Sequence, residues 1–308
     1  MPCVYSSLSF ARPLFSVLPL ALCLIQSRLL AADPINAPQP EQPVPVDKSG
    51  YTLFHPTPAS LLRELSTDRP DQTESPYTVD AGHFQLEMDI LNYGYDRNTP
   101  ARDNTRLEHV SIATVNLKLG LLNNVDLQLV IDSYTSTRAH DRSSGSVETH
   151  RGFGDIASRL KLNLWGNDGG PTAGALLPFV KLPTNQDGLG NKSFEGGIIF
   201  PFAMSLPYGF GMGLMTEVDA ARDLSKNGYH PEFANSVTLS RDIIGKLAGY
   251  VEFFSRVSSE SGSSWIGMFD VGFTYGLAEN IQLDAGANIG LTRAAEDINP
   301  FVGLSWRF

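Results

Sequence analysis

The chain has 308 residues, a net charge of −10 and a pI near 5.0, a length open to one large domain or two ordinary ones. The acidic balance excludes a nucleic-acid binder, which needs basic surface for phosphates. Both cysteines, Cys3 and Cys23, precede Asp33, so the remainder carries no disulfide framework, and the six histidines show no ligand spacing that would mark a metal or cofactor site.

Residues 1–32 read as a secretory signal peptide: basic Arg12, an apolar run over 13–25, then Ala31 and Ala32 before Asp33. The run is short for a transmembrane helix, and Cys23 lies inside it rather than after it, unlike a lipoprotein anchor. Cleavage would remove Arg12 and Arg28 and no acids, taking the charge from −10 to −12. Residues 33–80 form a Pro-rich periplasmic leader. Its first part, to about residue 60, is too poor in apolar residues to order itself. Its second part, over 58–80, is Pro-broken and polar yet specific in composition. Asp68, Arg69, Asp71 and Glu74 suit a plug or gate in the mouth of a barrel, with Arg69 pairing an acid of the wall; the plainer reading is a tether.

From Gly82 onward the pattern is one of alternation. The hairpin over 111–132 shows it best: Ala113, Val115, Leu117 and Leu119 share one face and Thr114, Asn116 and Lys118 the other. Its return arm sets Val125, Leu127, Leu129 and Ile131 against Asp126, Gln128, Val130 and Asp132. Twelve such segments are predicted, over 83–95, 107–119, 124–134, 153–165, 171–182, 192–206, 209–219, 230–241, 246–256, 264–275, 280–291 and 299–308. No later stretch approaches a spanning apolar helix, and each segment has the length of a tilted membrane strand. The connections alternate between short turns and longer polar loops, the longest over 135–152. The sequence therefore predicts an all-β fold, an antiparallel transmembrane β-barrel of about twelve strands over 81–308, set in outer-membrane lipid. Val302, Leu304, Trp306 and Phe308 share one face of the last segment and resemble the strand by which the barrel-assembly machinery recognises its substrates.

The opposite faces carry charge. The lumen candidates are Glu87, Asp89, Lys118, Asp126, Asp132, Asp155, Arg159, Lys161, Glu195, Glu217, Asp219, Glu252, Arg256, Asp270, Asp284 and Arg307. Acids outnumber bases, which favours cations in a pathway; the alternative is an ion-pair network that fills the barrel, with Arg159 and Lys161 beside Asp155. Asp96, Asp103 and Asp141 are candidate divalent-ion ligands in the outer loops, where plain solvation is the default. His109 and Ser111, two apart on the face assigned to lipid, have the spacing of an outer-membrane phospholipase, but no Asn or Asp partner is evident. No catalytic residue is assigned.

Thr67, Asp68, Arg69, Pro70, Asp71, Thr73, Glu74, Ser75, Pro76, Thr78, Val79 and Gly82, running into Phe84, Gln85, Leu86 and Glu87, resemble the opening of a family of outer-membrane transporters named for the meta-pathway of phenol degradation. Gly152 to Asp155 (GFGD) and Val180 to Thr184 (VKLPT) are similar to its internal motifs, although Asn185 stands where the family pattern has glycine. The resemblance covers 67–308 and implies a passive channel for small organic, including aromatic or hydrophobic, solutes. The competing expectation is a structural or adhesive barrel acting through its 135–152 loop.

Overall fold

The structure, a computed structural model, describes residues 46–98, 104–223 and 227–308; the predicted signal peptide, residues 33–45 of the leader and Asp103 lie outside these. The strands are β1 (Phe84–Asp96), β2 (Thr105–Leu122), β3 (Val125–Asp141), β4 (Val147–Gly152), β5 (Ile156–Trp165), β6 (Thr172–Leu182), β7 (Glu195–Leu206), β8 (Phe210–Arg222), β9 (Tyr229–Ile244), β10 (Leu247–Ser258), β11 (Ile266–Ala278), β12 (Ile281–Gly290) and β13 (Ile298–Arg307). All pairings are antiparallel between neighbours, and β1 closes on β13. Strands β4 and β5 both pair with β3 in one continuous register, so they are a single strand broken at 153–155. The barrel thus has twelve strand positions, as the alternation predicts.

Closure follows from chemistry at the seam. Phe84 and Phe308 exchange backbone hydrogen bonds of 3.0 and 2.9 Å, and their rings stack at 5.8 Å. With every strand of the wall paired on both sides, no backbone N–H row is left facing lipid. Leu117, Leu129, Ile198, Phe200, Leu214, Phe253, Phe269, Val302 and Trp306 stand exposed on the outer wall, the surface a hydrocarbon layer covers.

Two expectations are corrected. The 135–152 stretch is not a loop: β3 and β4 continue the hairpin beyond the wall, Thr135 opposite Gly152 and His140 opposite Val147. Its Thr-rich arms are polar on both faces because both meet water there, so no apolar alternation announces them. The second correction concerns side-chain parity. Ala113 takes a left-handed φ of 54°, and Ile90 is an extra residue between Asp89 and Leu91 against β13. Such an irregularity turns the following residues over. Leu91, Ile112 and Tyr134 are therefore exposed outside, and His109 and Ser111 turn inward instead of meeting lipid.

The interior is also less uniformly polar than the sequence suggests. Leu177, Ile199, Met215, Ala234 and Phe254 form a buried apolar cluster on the inner wall of β6 to β10, with Phe179 and Met268 against it. Residues 46–66 form an ordered strap, not the loose chain their composition predicts. Thr52 bridges Leu122, the Leu53 N–H donates to the Leu121 carbonyl at 2.8 Å, and a 3-10 turn follows at Ala59–Leu61.

Candidate functional site

From the strap the chain enters the barrel at its short-turn end, and residues 67–80 cross the interior. Asp68 is the first anchor. Its carboxylate meets Lys118 Nζ at 2.5 Å and Lys161 Nζ at 2.6 Å and accepts the Ser75 N–H at 3.0 Å; its own N–H donates to Glu87, which also pairs with Lys118. Lys161 and Lys118 are almost wholly buried, a state a lysine tolerates only with ionic partners. Their inward direction, on strands either side of β3, follows from strand parity; their partner comes from a segment remote in sequence.

Arg69 reaches round the wall to β1 and β12. Its guanidinium grips Asp284 with two bonds, Nη2 to Oδ1 at 2.7 Å and Nε to Oδ2 at 3.2 Å, and donates through Nη1 to Asp89 at 2.6 Å. A planar fork satisfies both carboxylates in a way a lysine could not. Gly303 makes the room, since a β-carbon there would run into the guanidinium. Gln72 donates from its N–H to Glu252 at 2.8 Å and from its amide to Asp270 at 2.7 Å. The Thr73 hydroxyl lies 2.6 Å from that of Ser236 and donates to Glu252 at 2.5 Å. Asp71 lies beside Thr238. Glu74 accepts from Arg159 at 2.5 Å, the Pro76 carbonyl from Asn163 at 2.9 Å, and Asp126 from the Val79 N–H at 3.0 Å.

The segment leaves through a second ionic knot beneath the barrel. Asp80 receives the Arg63 N–H at 3.1 Å and lies 3.6 Å from Arg307, while Arg63 and Lys48 each lie 3.1 Å from Asp168. Burial raises the Asp168 carboxyl, but hydrogen bonds from Asn123 and Lys48 and the charges of Arg63 and Lys48 outweigh it and hold it below the ordinary carboxylate range. Gly120 admits the segment here, because a β-carbon would strike the Asp80 carbonyl.

At the long-loop end the barrel opens into a vestibule of about 290 Å³ lined by Asp132, Asp155, Arg159, Lys181, Glu195, Glu217, Asp219, Glu232 and Arg256, with Phe179 as its aromatic wall. Lys181 pairs with Glu195 and lies 3.7 Å from Asp155, and Arg256 lies 3.8 Å from Glu217. The GFGD and VKLPT motifs meet at its edge: Ile156 N–H donates to the Thr184 hydroxyl at 2.9 Å, and Asn185 donates to Asp155 from both nitrogens at 3.0 and 2.8 Å. Asn185 thus earns its place as a clasp on Asp155.

Every lumen candidate lies on the inner wall, but the pairings differ from the simplest expectation. Arg159 and Lys161 turn to Glu74 and Asp68 of the inner segment rather than to Asp155, whose partner is Lys181. Gln72, Thr73, Gln85, Asn163, Lys181, Ser236 and Gly303 complete the contacts; parity places the wall members inward, while Gly303 carries no sequence signal. Ser111 bonds Thr135 at 3.1 Å, and His109 bonds Glu296 at 2.7 Å and Asn92 at 3.2 Å, so the two are not joined as nucleophile and base. Asp96 and Asp141 bind neighbouring backbone N–H groups in separate loops.

These features define a closed twelve-stranded outer-membrane β-barrel with a chain segment through its interior. Residues 67–308 match the profile of the family described as "Putative MetA-pathway of phenol degradation", and the chain belongs to that family. The fold is similar to that of the COG4313 outer membrane channel from Pseudomonas putida F1, at 11% identity and a TM-score of 0.56 over 79% of this chain and 100% of that one. The NanC porin also matches, at 9% identity and a TM-score of 0.46 over 72% and 98% of the two chains. No curated protein sequence matches.

Proposed function

We propose that the protein is a passive outer-membrane channel for small organic solutes, aromatic or hydrophobic ones included, held shut in this conformation by residues 67–80. The observation that carries this reading is the span of the inner segment: Asp68 is tied to β2 and β5, Arg69 to β1 and β12, Thr73 to β9 and β10. Ties to opposite walls leave no straight path between the vestibule and the short-turn end. Family membership and the fold shared with a channel from P. putida support a transport role. Asp68, Arg69, Asp71 and Glu74 form the gate. A solute enters at the vestibule, and release of the gate toward the short-turn side exposes a pathway of wall carboxylates and the apolar patch around Phe254. Six vestibule acids against three bases favour cations over anions.

Under this reading residues 1–32 are a cleaved export signal, the strap is periplasmic, and outward Leu304, Trp306 and Phe308 on the closing strand present the barrel-assembly signal. The interior serves passage, with no catalytic role. Planar-bilayer recording of the chain from residue 33, beside one lacking residues 33–80, tests the reading; the truncated barrel conducts more. Two folded barrels that both stay sealed, and vesicles that take up no solute, would contradict it. The projecting β3–β4 hairpin favours a second reading, an adhesive or structural barrel, in which deleting residues 135–152 abolishes partner binding and leaves permeability unchanged.

A further inference from the structure

At the outer rim, three residues from two separate hairpins converge. Asp223 directly follows β8, His230 is the second residue of β9, and Glu260 lies just beyond β10; one ligand atom from each lies within 4.8 Å of the others. Nothing in the spacing announces this, because antiparallel pairing brings the groups together. The imidazole is placed between carboxylates: Nδ1 is 2.8 Å from Asp223 Oδ1 and Nε2 is 3.3 Å from Glu232 Oε1. A neutral imidazole donates from only one nitrogen, so its other lone pair would face an oxyanion. A cation on that nitrogen, a proton or a metal ion, removes the conflict.

We propose that Asp223, His230 and Glu260 bind a divalent transition-metal ion at the outer rim. The ion sits on the Asp223 side of the ring and takes Nδ1, while the Nε2–H donates to Glu232. Metal-bound histidines generally donate their other N–H to such a carboxylate, which fixes the tautomer and raises the ligand's basicity. One imidazole with carboxylates suits zinc or manganese better than calcium or magnesium, which prefer oxygen alone. Ligands about 2.1 Å from a tetrahedral ion lie about 3.4 Å apart, so binding spreads the Asp223–His230 contact from its 2.8 Å and draws in a ligand pair lying as far apart as 4.8 Å by about 1.4 Å.

The surroundings are shaped for this. His230 is buried although it lies at the rim. A β-carbon at Gly228 would meet the Asp223 carboxylate, and the Asp223 N–H donates to the Gly228 carbonyl at 3.1 Å. The Ser259 N–H donates to the Pro231 carbonyl at 3.1 Å, which brings the Glu260 connection against β9. A bound ion would tie the β8–β9 connection to the β10–β11 connection, on the vestibule side where Glu232 also lies.

The test is calorimetric titration of zinc sulfate into the tag-free chain from residue 33 in detergent, with thermal unfolding in parallel. Wild-type protein shows one saturable high-affinity site and a rise in unfolding midpoint with zinc. His230→Ala and Glu260→Gln each weaken that site at least tenfold and abolish the rise, and Glu232→Gln weakens it by about ten- to a hundredfold through the tautomer. Heat-modifiable gel mobility confirms closed barrels in each variant. Absence of a saturable site in wild type, or an unchanged affinity in closed His230→Ala protein, overturns the proposal whether or not the barrel conducts.

Discussion

Replacing Arg69 with alanine removes the charged fork that ties the inner segment to Asp89 of β1 and Asp284 of β12. Asp284, whose side chain is wholly buried, and Asp89 then face the interior without their cation. Removing one partner of a buried ion pair costs about 3–5 kcal/mol, because the charge left behind is uncompensated. Every 1.4 kcal/mol is a tenfold change in an equilibrium, so the closed state loses roughly a hundred- to four-thousandfold of its advantage, less whatever water recovers on entering. The readout is open probability in planar bilayers. Arg69→Ala raises it strongly, and Arg69→Ala with Asp284→Asn returns part of the way, since the orphaned charge is gone. Arg69→Lys falls between, keeping the charge without the bidentate fork. An open probability unchanged in Arg69→Ala, in protein shown to be a closed barrel, would refute the reasoning.

Gly303→Val attacks the same contact without touching charge: the added carbons displace the guanidinium, at a cost of about 1–3 kcal/mol, and conductance rises as in Arg69→Ala but less. Below the barrel the sign of the pH effect follows from Asp168. Its depressed pKa stabilises the docked strap above the ordinary carboxylate value near 4, and that contribution is lost as pH falls through the folded value. Limited proteolysis of the strap should therefore accelerate in acid, and Asp168→Asn should remove that part of the acid response. Single cysteines test the reversal of side-chain parity at Ala113, in a chain without Cys3 and Cys23. Ser111→Cys reacts with a polar thiol reagent applied from the vestibule, and Ile112→Cys stays shielded by lipid; the opposite pattern would restore the regular strand.

Much of the barrel was legible because lipid outside and polar groups inside impose a period of two on nearly every strand. The alternation of Val125 to Asp132 states it directly, and short turns such as Asn123 and Asn124 follow from strand pairing. What the alternation could not show are its breaks. Nothing in Ile90 or Ala113 announces a reversal, so His109 and Ser111 read as outward when they point inward. The β3–β4 hairpin was hidden for another reason: strands with water on both sides have no need of an apolar face. In the interior, parity identified Lys118, Lys161 and Asp284 as inward charges but not their partners. Those partners, Asp68 and Arg69, are set by the path of a segment with no regular structure, and the room they occupy is made by Gly303 and Gly120, residues without chemistry of their own.

Residues 67–80 govern passage only if they move as a gate, and a reversible lock measures that most directly. The Thr73 and Ser236 hydroxyls already lie 2.6 Å apart, and a chain begun at residue 33 has no other cysteine. Thr73→Cys with Ser236→Cys should therefore form a disulfide that pins the segment to β9. Conductance silent in the oxidised protein and restored by reductant is the result this account predicts. Equal conductance in both states, with the crosslink confirmed by mass, would show that the segment does not govern passage.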